Sequence, residues 1–146
     1  MKSKLPAEAT LLLVDDSRNG LLVRRAILEG EGFQVKMAGN GEEGLKLFEA
    51  LHFDVVVTDY RMPRMNGTEL IERMRKLDPQ VRVVLISSVV EPLGLKEENT
   101  GADAVIAKDA NEPAHLLRAV RRLMSRPPRK PARSQTARRA HDAMRA

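Results

Sequence analysis

The chain has 146 residues, of which 42% are hydrophobic and 3% aromatic, with no Cys and a formal net charge of +5. This length suits one domain with an aliphatic core, and the lack of Cys excludes a disulfide scaffold and cysteine-based metal or redox sites. The first ten residues lack the apolar run of a signal peptide, and no apolar stretch approaches the length of a membrane span. We therefore expect a cytoplasmic protein.

The positive charge is concentrated at the carboxyl end of the chain. Residues 126–146 hold seven basic residues and one acidic residue, whereas the first 125 residues hold 18 basic and 19 acidic groups. The sequence predicts an N-terminal extension (1–9), one folded domain (10–125) and a flexible basic tail rich in Pro and Arg (126–146). The domain is nearly neutral, unlike a globular nucleic-acid binder, so we do not expect nucleic-acid binding. Binding of nucleic acid or anionic lipid by the tail stays an alternative, as does docking to a protein.

In chain order, the apolar residues 11–14 predict a first strand that is buried on both faces, since they do not alternate with polar residues. Ser17 can cap a helix that reaches to about Glu29. The weaker apolar run 33–37 predicts a strand toward one edge of the sheet. Asn40 can cap a second helix, whose apolar stripe consists of Gly44, Leu47, Phe48 and Leu51.

Residues 55–57, 83–86 and 104–107 predict three further buried strands. A third helix starts near Gly67 and ends before Pro79; its apolar face consists of Leu70, Met74 and Leu77. The fourth helical region, 91–100, is predicted to be short or irregular. The last helix starts near Asn111, and its predicted buried residues are Leu116, Leu117, Val120, Leu123 and Met124. This order of elements predicts an α/β fold: a doubly wound, five-stranded parallel sheet with helices on both faces.

Polar residues follow four of the predicted strands. Asp15 and Asp16 follow the first, Asp59 the third, Ser87 the fourth and Lys108 the fifth. The carboxyl ends of parallel strands converge, so these side chains should share one site. Three carboxylates need a compensating hard cation, for which Mg²⁺ is suited, and a lysine and a hydroxyl can hold phosphoryl oxygens. Asp59 stands apart from the Asp pair and is the best candidate nucleophile. Each residue alone is more often a cap, a turn residue or a solvated charge; the set together favours a site.

Residues 55–67 resemble the receiver domain of bacterial two-component response regulators, the superfamily of the chemotaxis regulator. The segment has the family pattern of an acceptor Asp, then Met-Pro, then Met, then Gly, and the resemblance extends over roughly residues 9–125. It implies a flavodoxin-like fold with strand order 2-1-3-4-5.

The resemblance also implies a role for each residue of the predicted site. Asp59 would be the phospho-acceptor, and Mg²⁺ would be bound by Asp15, Asp16, Asp59 and the backbone carbonyl of Arg61. Ser87 would be the switch hydroxyl and Lys108 would bind the phosphoryl group.

The partners follow from the same resemblance. The donor would be a phosphohistidine on a sensor histidine kinase or a phosphotransfer protein. An output protein, or a second copy of the chain, would bind the face formed by the fourth helix, fifth strand and fifth helix. Apart from assisting its own phosphorylation and dephosphorylation, the protein is not expected to be an enzyme.

The sequence departs from the family on that output face. Val105 stands where the family often has an aromatic switch residue, and Asp109 replaces the common Pro after the lysine, so a cis bond is not expected there. Pro92 and Gly94 lie in the irregular fourth helical region. These departures predict that the chemistry is kept and the readout altered.

Besides the binding role of the tail, the folded domain has three candidate functions. The favoured one is a stand-alone response regulator, a phosphorylation-dependent switch for a protein partner. The second is a pseudo-receiver that binds its partner without phosphorylation and uses the basic tail for docking. The third is a haloacid-dehalogenase-type phosphatase; it needs an Asp-x-Asp motif, whereas this chain has Asp15-Asp16-Ser17, so it carries little weight.

Overall fold

Five parallel strands form one sheet in the order β2-β1-β3-β4-β5 in the computed structural model, which describes residues 9–88 and 94–125. The strands are β1 (Thr10–Val14), β2 (Gln34–Ala38), β3 (Val55–Asp59), β4 (Val83–Ser87) and β5 (Ala104–Ala107). The helices are α1 (Arg18–Gly30), α2 (Gly41–Ala50), α3 (Gly67–Leu77), α4 (Glu97–Thr100) and α5 (Glu112–Ser125). The predicted fold class and strand order are confirmed. The predicted tail, Pro92 and residues 1–8 of the N-terminal extension lie outside the described residues.

Burial along the strands follows their places in the sheet. Every residue of β3 and β4 is buried, because helices cover both faces of the central strands. Within residues 9–88 and 94–125, β2 pairs only with β1, and its burial is partial, as the weaker apolar pattern of 33–37 predicts for an edge strand.

The core consists of two apolar layers, one on each face of the sheet. One layer packs side chains of α1 and α5 on the sheet and includes Leu13, Leu28, Ile86, Leu116 and Val120. The opposite layer packs α3 on the sheet and includes Leu12, Val56, Leu70, Met74 and Leu85. This arrangement leaves the carboxyl ends of the strands as the polar edge of the sheet.

The polar residues at the helix starts act as caps, as predicted. Ser17 Oγ accepts a hydrogen bond from Gly20 N at 3.1 Å, and Asn40 Oδ1 accepts one from Glu43 N at 2.8 Å. Asn66 and Glu69 form a capping box, each side chain accepting from the other's backbone N–H at 2.9 Å. The two Asn-Gly pairs of the chain, 40–41 and 66–67, therefore begin helices, although such pairs also occur in hairpin turns.

Several residues of the predicted apolar helix faces are less buried than expected. Leu51 is 46% exposed and Leu77 is 52% exposed. Leu51 is the C-cap of α2, and Leu77 is the last residue of α3. Leu117 and Met124 are partly buried and pack against the layer under α1 and α5. Leu47 and Phe48 are partly buried and pack against the opposite layer. Helical periodicity thus gives the apolar face of a helix but not how deeply each residue on that face is buried.

Between β4 and β5, the described residues contain one turn of helix, α4, in agreement with the short fourth helix predicted there. Arg75 ties this connection to the end of α3. Its Nη2 donates to the Gly101 carbonyl at 2.6 Å and pairs with Asp103 Oδ2 at 3.1 Å, while Nη1 donates to the Val81 carbonyl at 2.6 Å. One side chain thus anchors the amino-terminal end of β5.

We expect Arg75→Met to lower the free energy of unfolding by about 2 to 4 kcal/mol, because it leaves a partly buried carboxylate and two carbonyls without their cation. Urea unfolding followed by far-ultraviolet circular dichroism measures the change. Arg73→Met, at an exposed position of the same helix, serves as the control and should change stability by less than about 0.5 kcal/mol. Equal stability of the two variants would contradict the anchoring role.

Candidate functional site

Three carboxylates lie together at the carboxyl ends of two neighbouring strands. β1 and β3 pair with Val14 opposite Thr58, which places Asp15 beside Asp59. One carboxylate oxygen each of Asp15, Asp16 and Asp59 lies within 4.8 Å of the others. Asp15 and Asp59 are buried, whereas Asp16 is exposed. The structure thus brings together the three acidic residues that the sequence singled out.

Lys108 reaches this cluster from the end of β5. Its backbone N–H donates to the Ser87 carbonyl at 3.0 Å, which extends the pairing of Ser87 with Ala107, and its Nζ lies 2.8 Å from Asp59 Oδ1. Ser87 ends β4 and is buried. The five predicted residues therefore come from the ends of four strands and share one edge of the sheet.

Asp59 is held in an environment that resists its ionisation. Burial raises the pKa of the Asp59 carboxyl above its ordinary value; the Lys108 ammonium opposes this, and the charge of Asp15 adds to it. Apart from the ion pair with Lys108, Asp59 Oδ1 has no hydrogen-bond partner among the described residues. Three carboxylate oxygens within 4.8 Å of one another, with one lysine paired to Asp59, fit a hard divalent cation that takes oxygen ligands and retains water. The donor set is therefore suited to Mg²⁺.

Asp15 has a cation partner that sequence reasoning missed. Arg24 Nη1 lies 2.6 Å from Asp15 Oδ2, and the same guanidinium holds Glu112 through Nε at 2.8 Å and Nη2 at 3.2 Å. The other Asp15 oxygen accepts from Ser17 N at 2.9 Å. A sequence signal existed: position 24 falls on the same face of α1 as Leu21 and Leu28, so an arginine there must be buried and needs a partner.

The loop after Asp59 requires a glycine at residue 67. Gly67 N donates to the Tyr60 carbonyl at 2.7 Å. A Cβ on Gly67 would lie 2.5 Å from the Asp59 carbonyl oxygen. This is a steric clash with the backbone, which cannot move aside as a flexible side chain can. The start of α3 is thereby brought close against the acidic edge. Arg61 lies in this loop, two residues past Asp59, and its side chain is exposed.

The described residues that depart from the family pattern are not part of the carboxylate cluster. Val105 is partly buried and packs against the layer under α3. Gly94 has a positive φ of 62°, and Asp109 Oδ1 accepts from Asn111 N at 2.8 Å. All described peptide bonds are trans, including the one after Lys108. Pro92 lies outside the described residues.

Comparison with known proteins assigns the family. Residues 11–121 match the family described as response regulator receiver domain. The chain belongs to this family, whose members are the receiver domains of two-component signalling.

Individual relatives agree with the family assignment. A response regulator receiver protein of Anaeromyxobacter sp. (strain Fw109-5) is 37% identical over 106 residues, which cover 72% of this chain and 44% of that protein. The chain thus spans less than half of this relative's length.

Solved structures of receiver domains have the same fold. A CheY-like receiver domain protein from Methanospirillum hungatei JF-1 superposes with a TM-score of 0.73 at 33% identity, covering 80% of this chain and 94% of that one. The response regulator TrrA from Thermotoga maritima, in complex with Mg²⁺-BeF, gives a TM-score of 0.72 at 29% identity, covering 79% and 98%. In the part of the chain that the structure describes, no helix has the length and apolar character to cross a membrane.

We expect Asp59→Asn to raise the melting temperature at pH 7. A carboxyl whose pKa is raised by folding favours the folded state while it is protonated, and this contribution is lost as the pH rises through the folded-state pKa. Asn cannot ionise, so its advantage over the wild type should be largest at neutral pH and shrink toward about pH 4. Thermal unfolding of both proteins across this pH range, without divalent metal, measures it. Glu72→Gln, at an exposed carboxylate, is the control, and a pH-independent advantage of Asn would contradict the prediction.

Proposed function

We propose that the protein is a phosphorylation-controlled switch in a two-component system and that Asp59 is its phospho-acceptor. The observation that carries the proposal is the buried Asp59 carboxylate, paired with Lys108 Nζ at 2.8 Å and clustered with two further carboxylates within 4.8 Å. In the reaction, a carboxylate oxygen of Asp59 forms a bond to phosphorus as the phosphorus–nitrogen bond of a phosphohistidine breaks. The bonding electron pair stays on the imidazole nitrogen of the donor, which is a sensor histidine kinase or a phosphotransfer protein.

The remaining residues of the site have supporting roles in this proposal. Asp15, Asp16 and Asp59, with the backbone carbonyl of Arg61, hold Mg²⁺, which when bound neutralises charge on the transferring phosphoryl group. Lys108 binds a phosphoryl oxygen as a point charge, and the Ser87 hydroxyl donates a further hydrogen bond. The Mg²⁺-BeF complex of the Thermotoga maritima relative supports the choice of metal.

The switch follows from a change of partner at Lys108. In the unmodified protein this ammonium pairs with Asp59 Oδ1. Phosphorylation places about 1.5 to 2 negative charges at the same point, with three strong acceptor oxygens, and so draws Lys108 toward the phosphoryl group. Lys108 directly follows β5, so the pull acts on the strand that carries Val105. We propose that a protein partner reads this change on the face formed by α4, β5 and α5.

The test of the acceptor is phosphorylation by a small-molecule phosphodonor in Mg²⁺, followed by intact mass. A single phosphoryl adduct is expected for the wild type, and none for Asp59→Asn or after removal of Mg²⁺ by a chelator. The matched control is Asp54→Asn, which changes an aspartate at the opposite end of the same strand, where the carboxylate accepts from Thr10 N at 2.8 Å. This variant should be phosphorylated like the wild type.

Two results would contradict the proposal in different ways. An adduct that persists in Asp59→Asn would place the acceptor elsewhere. The absence of any adduct on folded wild-type protein would favour the pseudo-receiver, in which the partner binds without phosphorylation.

We expect Lys108→Met to slow formation of the adduct by about 100-fold, because it removes one charge from the transferring phosphoryl oxygens. Lys108→Arg keeps the charge and should retain most of the rate. The time course of adduct mass at a fixed phosphodonor concentration gives both rates. Equal rates for Lys108→Met and the wild type would exclude Lys108 from the reaction.

A further inference from the structure

The Arg24 guanidinium joins the acidic cluster to the start of α5. It is 8% exposed, and it contacts two carboxylates from different parts of the chain, Asp15 after β1 and Glu112 in the first turn of α5. Its two bonds to Glu112 use Nε and Nη2, and its bond to Asp15 uses Nη1. The two carboxylates therefore occupy separate donors of one rigid fork.

Gly20 supplies the space that this arrangement needs. A Cβ at residue 20 would lie 2.5 Å from Asp15 Oδ2 and 3.2 Å from Arg24 Nη1. A glycine inside a helix is less favourable than an alanine. At residue 20, one turn before Arg24, the missing Cβ leaves room for the ion pair between Arg24 and Asp15. The pair is thus accommodated by α1 itself.

We propose that Arg24 is a resident counter-cation of the acidic cluster, which holds Asp15 in the metal-free protein and competes with Mg²⁺ for that carboxylate. Glu112 is the second partner, to which Arg24 stays bound when the metal takes Asp15. The inference rests on the Mg²⁺ site of the proposed function and adds a residue that sets its affinity.

The sign of the effect follows from charge. A divalent cation that binds Asp15 must replace the guanidinium at Oδ2 or tolerate its positive charge close by, and both lower the affinity for the metal. Burial by itself lowers the pKa of Arg24, but Glu112 and Asp15 together raise it above its ordinary value, so the guanidinium remains charged. The two bonds to Glu112 keep this charge compensated after Asp15 is released.

The same contacts connect metal binding to helix packing. Arg24 lies in α1 and Glu112 in α5, so release of Asp15 leaves the guanidinium bound only on the side of α5. Because the metal and Arg24 bind one carboxylate, any change that strengthens the hold of Arg24 on Asp15 must weaken metal binding, and the reverse must also hold. Arg24 is in this sense a positioning residue rather than a catalytic one.

The test is titration of the full chain with MgCl₂ by isothermal calorimetry. Arg24→Met should bind Mg²⁺ about tenfold more tightly than the wild type, because it removes a positive charge at the ligand. Glu112→Gln should bind Mg²⁺ roughly threefold more weakly, because Asp15 is then the one charged partner of the Arg24 guanidinium and is bound by it more strongly. The exposed pair Arg25 and Glu29, on α1 at 3.7 Å, gives the controls Arg25→Met and Glu29→Gln, which should stay within about twofold of the wild type.

Thermal unfolding with and without Mg²⁺ separates the proposed role from a purely structural one. Arg24→Met leaves Asp15 and Glu112 without their cation, so it should melt lower than the wild type without metal and be stabilised more by Mg²⁺. Arg24→Lys keeps the charge and should stay within about threefold of the wild-type affinity. If Arg24→Met does not fold, Glu112→Gln and Arg24→Lys decide the question by the same titration.

The outcomes distinguish this inference from the proposed function. If the wild type binds Mg²⁺ and Arg24→Met binds it equally or more weakly, the counter-cation role is wrong and the metal site stands. If Glu112→Gln binds Mg²⁺ as tightly as the wild type or more tightly, the counter-cation role is likewise wrong. If neither the wild type nor Arg24→Met binds Mg²⁺ while both are folded, the metal site itself is wrong. If Arg24→Met binds Mg²⁺ and the wild type does not, the inference is supported, because Arg24 then prevents metal binding altogether.

Discussion

The ion pair between Lys108 and Asp59 is the contact on which the arrangement of the site depends. It joins the ends of β3 and β5 across β4, at a point where two other carboxylates also lie. A buried carboxylate next to two others is unfavourable, and the two cations at the site, Lys108 and Arg24, cannot neutralise all three carboxylates. The fold therefore holds a surplus of negative charge where the strands converge. This surplus opposes stability and prepares the site for a cation.

Each of the two buried carboxylates is paired with its own cation, and the third carboxylate of the cluster is exposed to solvent. Lys108 pairs with Asp59, Arg24 pairs with Asp15, and Asp16 is exposed. Arg24 lies in α1 and Lys108 directly follows β5, so each cation connects the acidic edge to a different part of the molecule. In the function and the inference that we propose, a change in charge at the carboxylates would act along two routes, one through the end of β5 and one through the contact of α1 with α5.

Much of this fold and site could be predicted from the sequence, because both depend on local patterns that the fold repeats. Apolar runs without alternation identify central parallel strands, and polar residues directly after such runs must meet at one edge of the sheet. Arg24 could not be assigned a partner in this way, since Glu112 is 88 residues away and only the packing of α1 beside α5 brings them together. The exposure of Leu51 and Leu77 was missed for a related reason: periodicity gives the apolar face of a helix but not what the tertiary structure packs against each end of it.

The altered output face is best understood from how β5 is held. Arg75 fixes its amino-terminal end through Gly101 and Asp103, and Lys108 fixes its carboxyl end through Asp59. With four residues between these anchors, β5 has little freedom to shift as a body, so a change at Lys108 must be expressed in side chains or in the connections beside the strand. Val105 is too small to turn between two positions as a large aromatic ring would, and it packs into the layer under α3. The readout that we propose therefore depends on the position of Lys108 itself and on the α4 connection, rather than on a rotating side chain in β5.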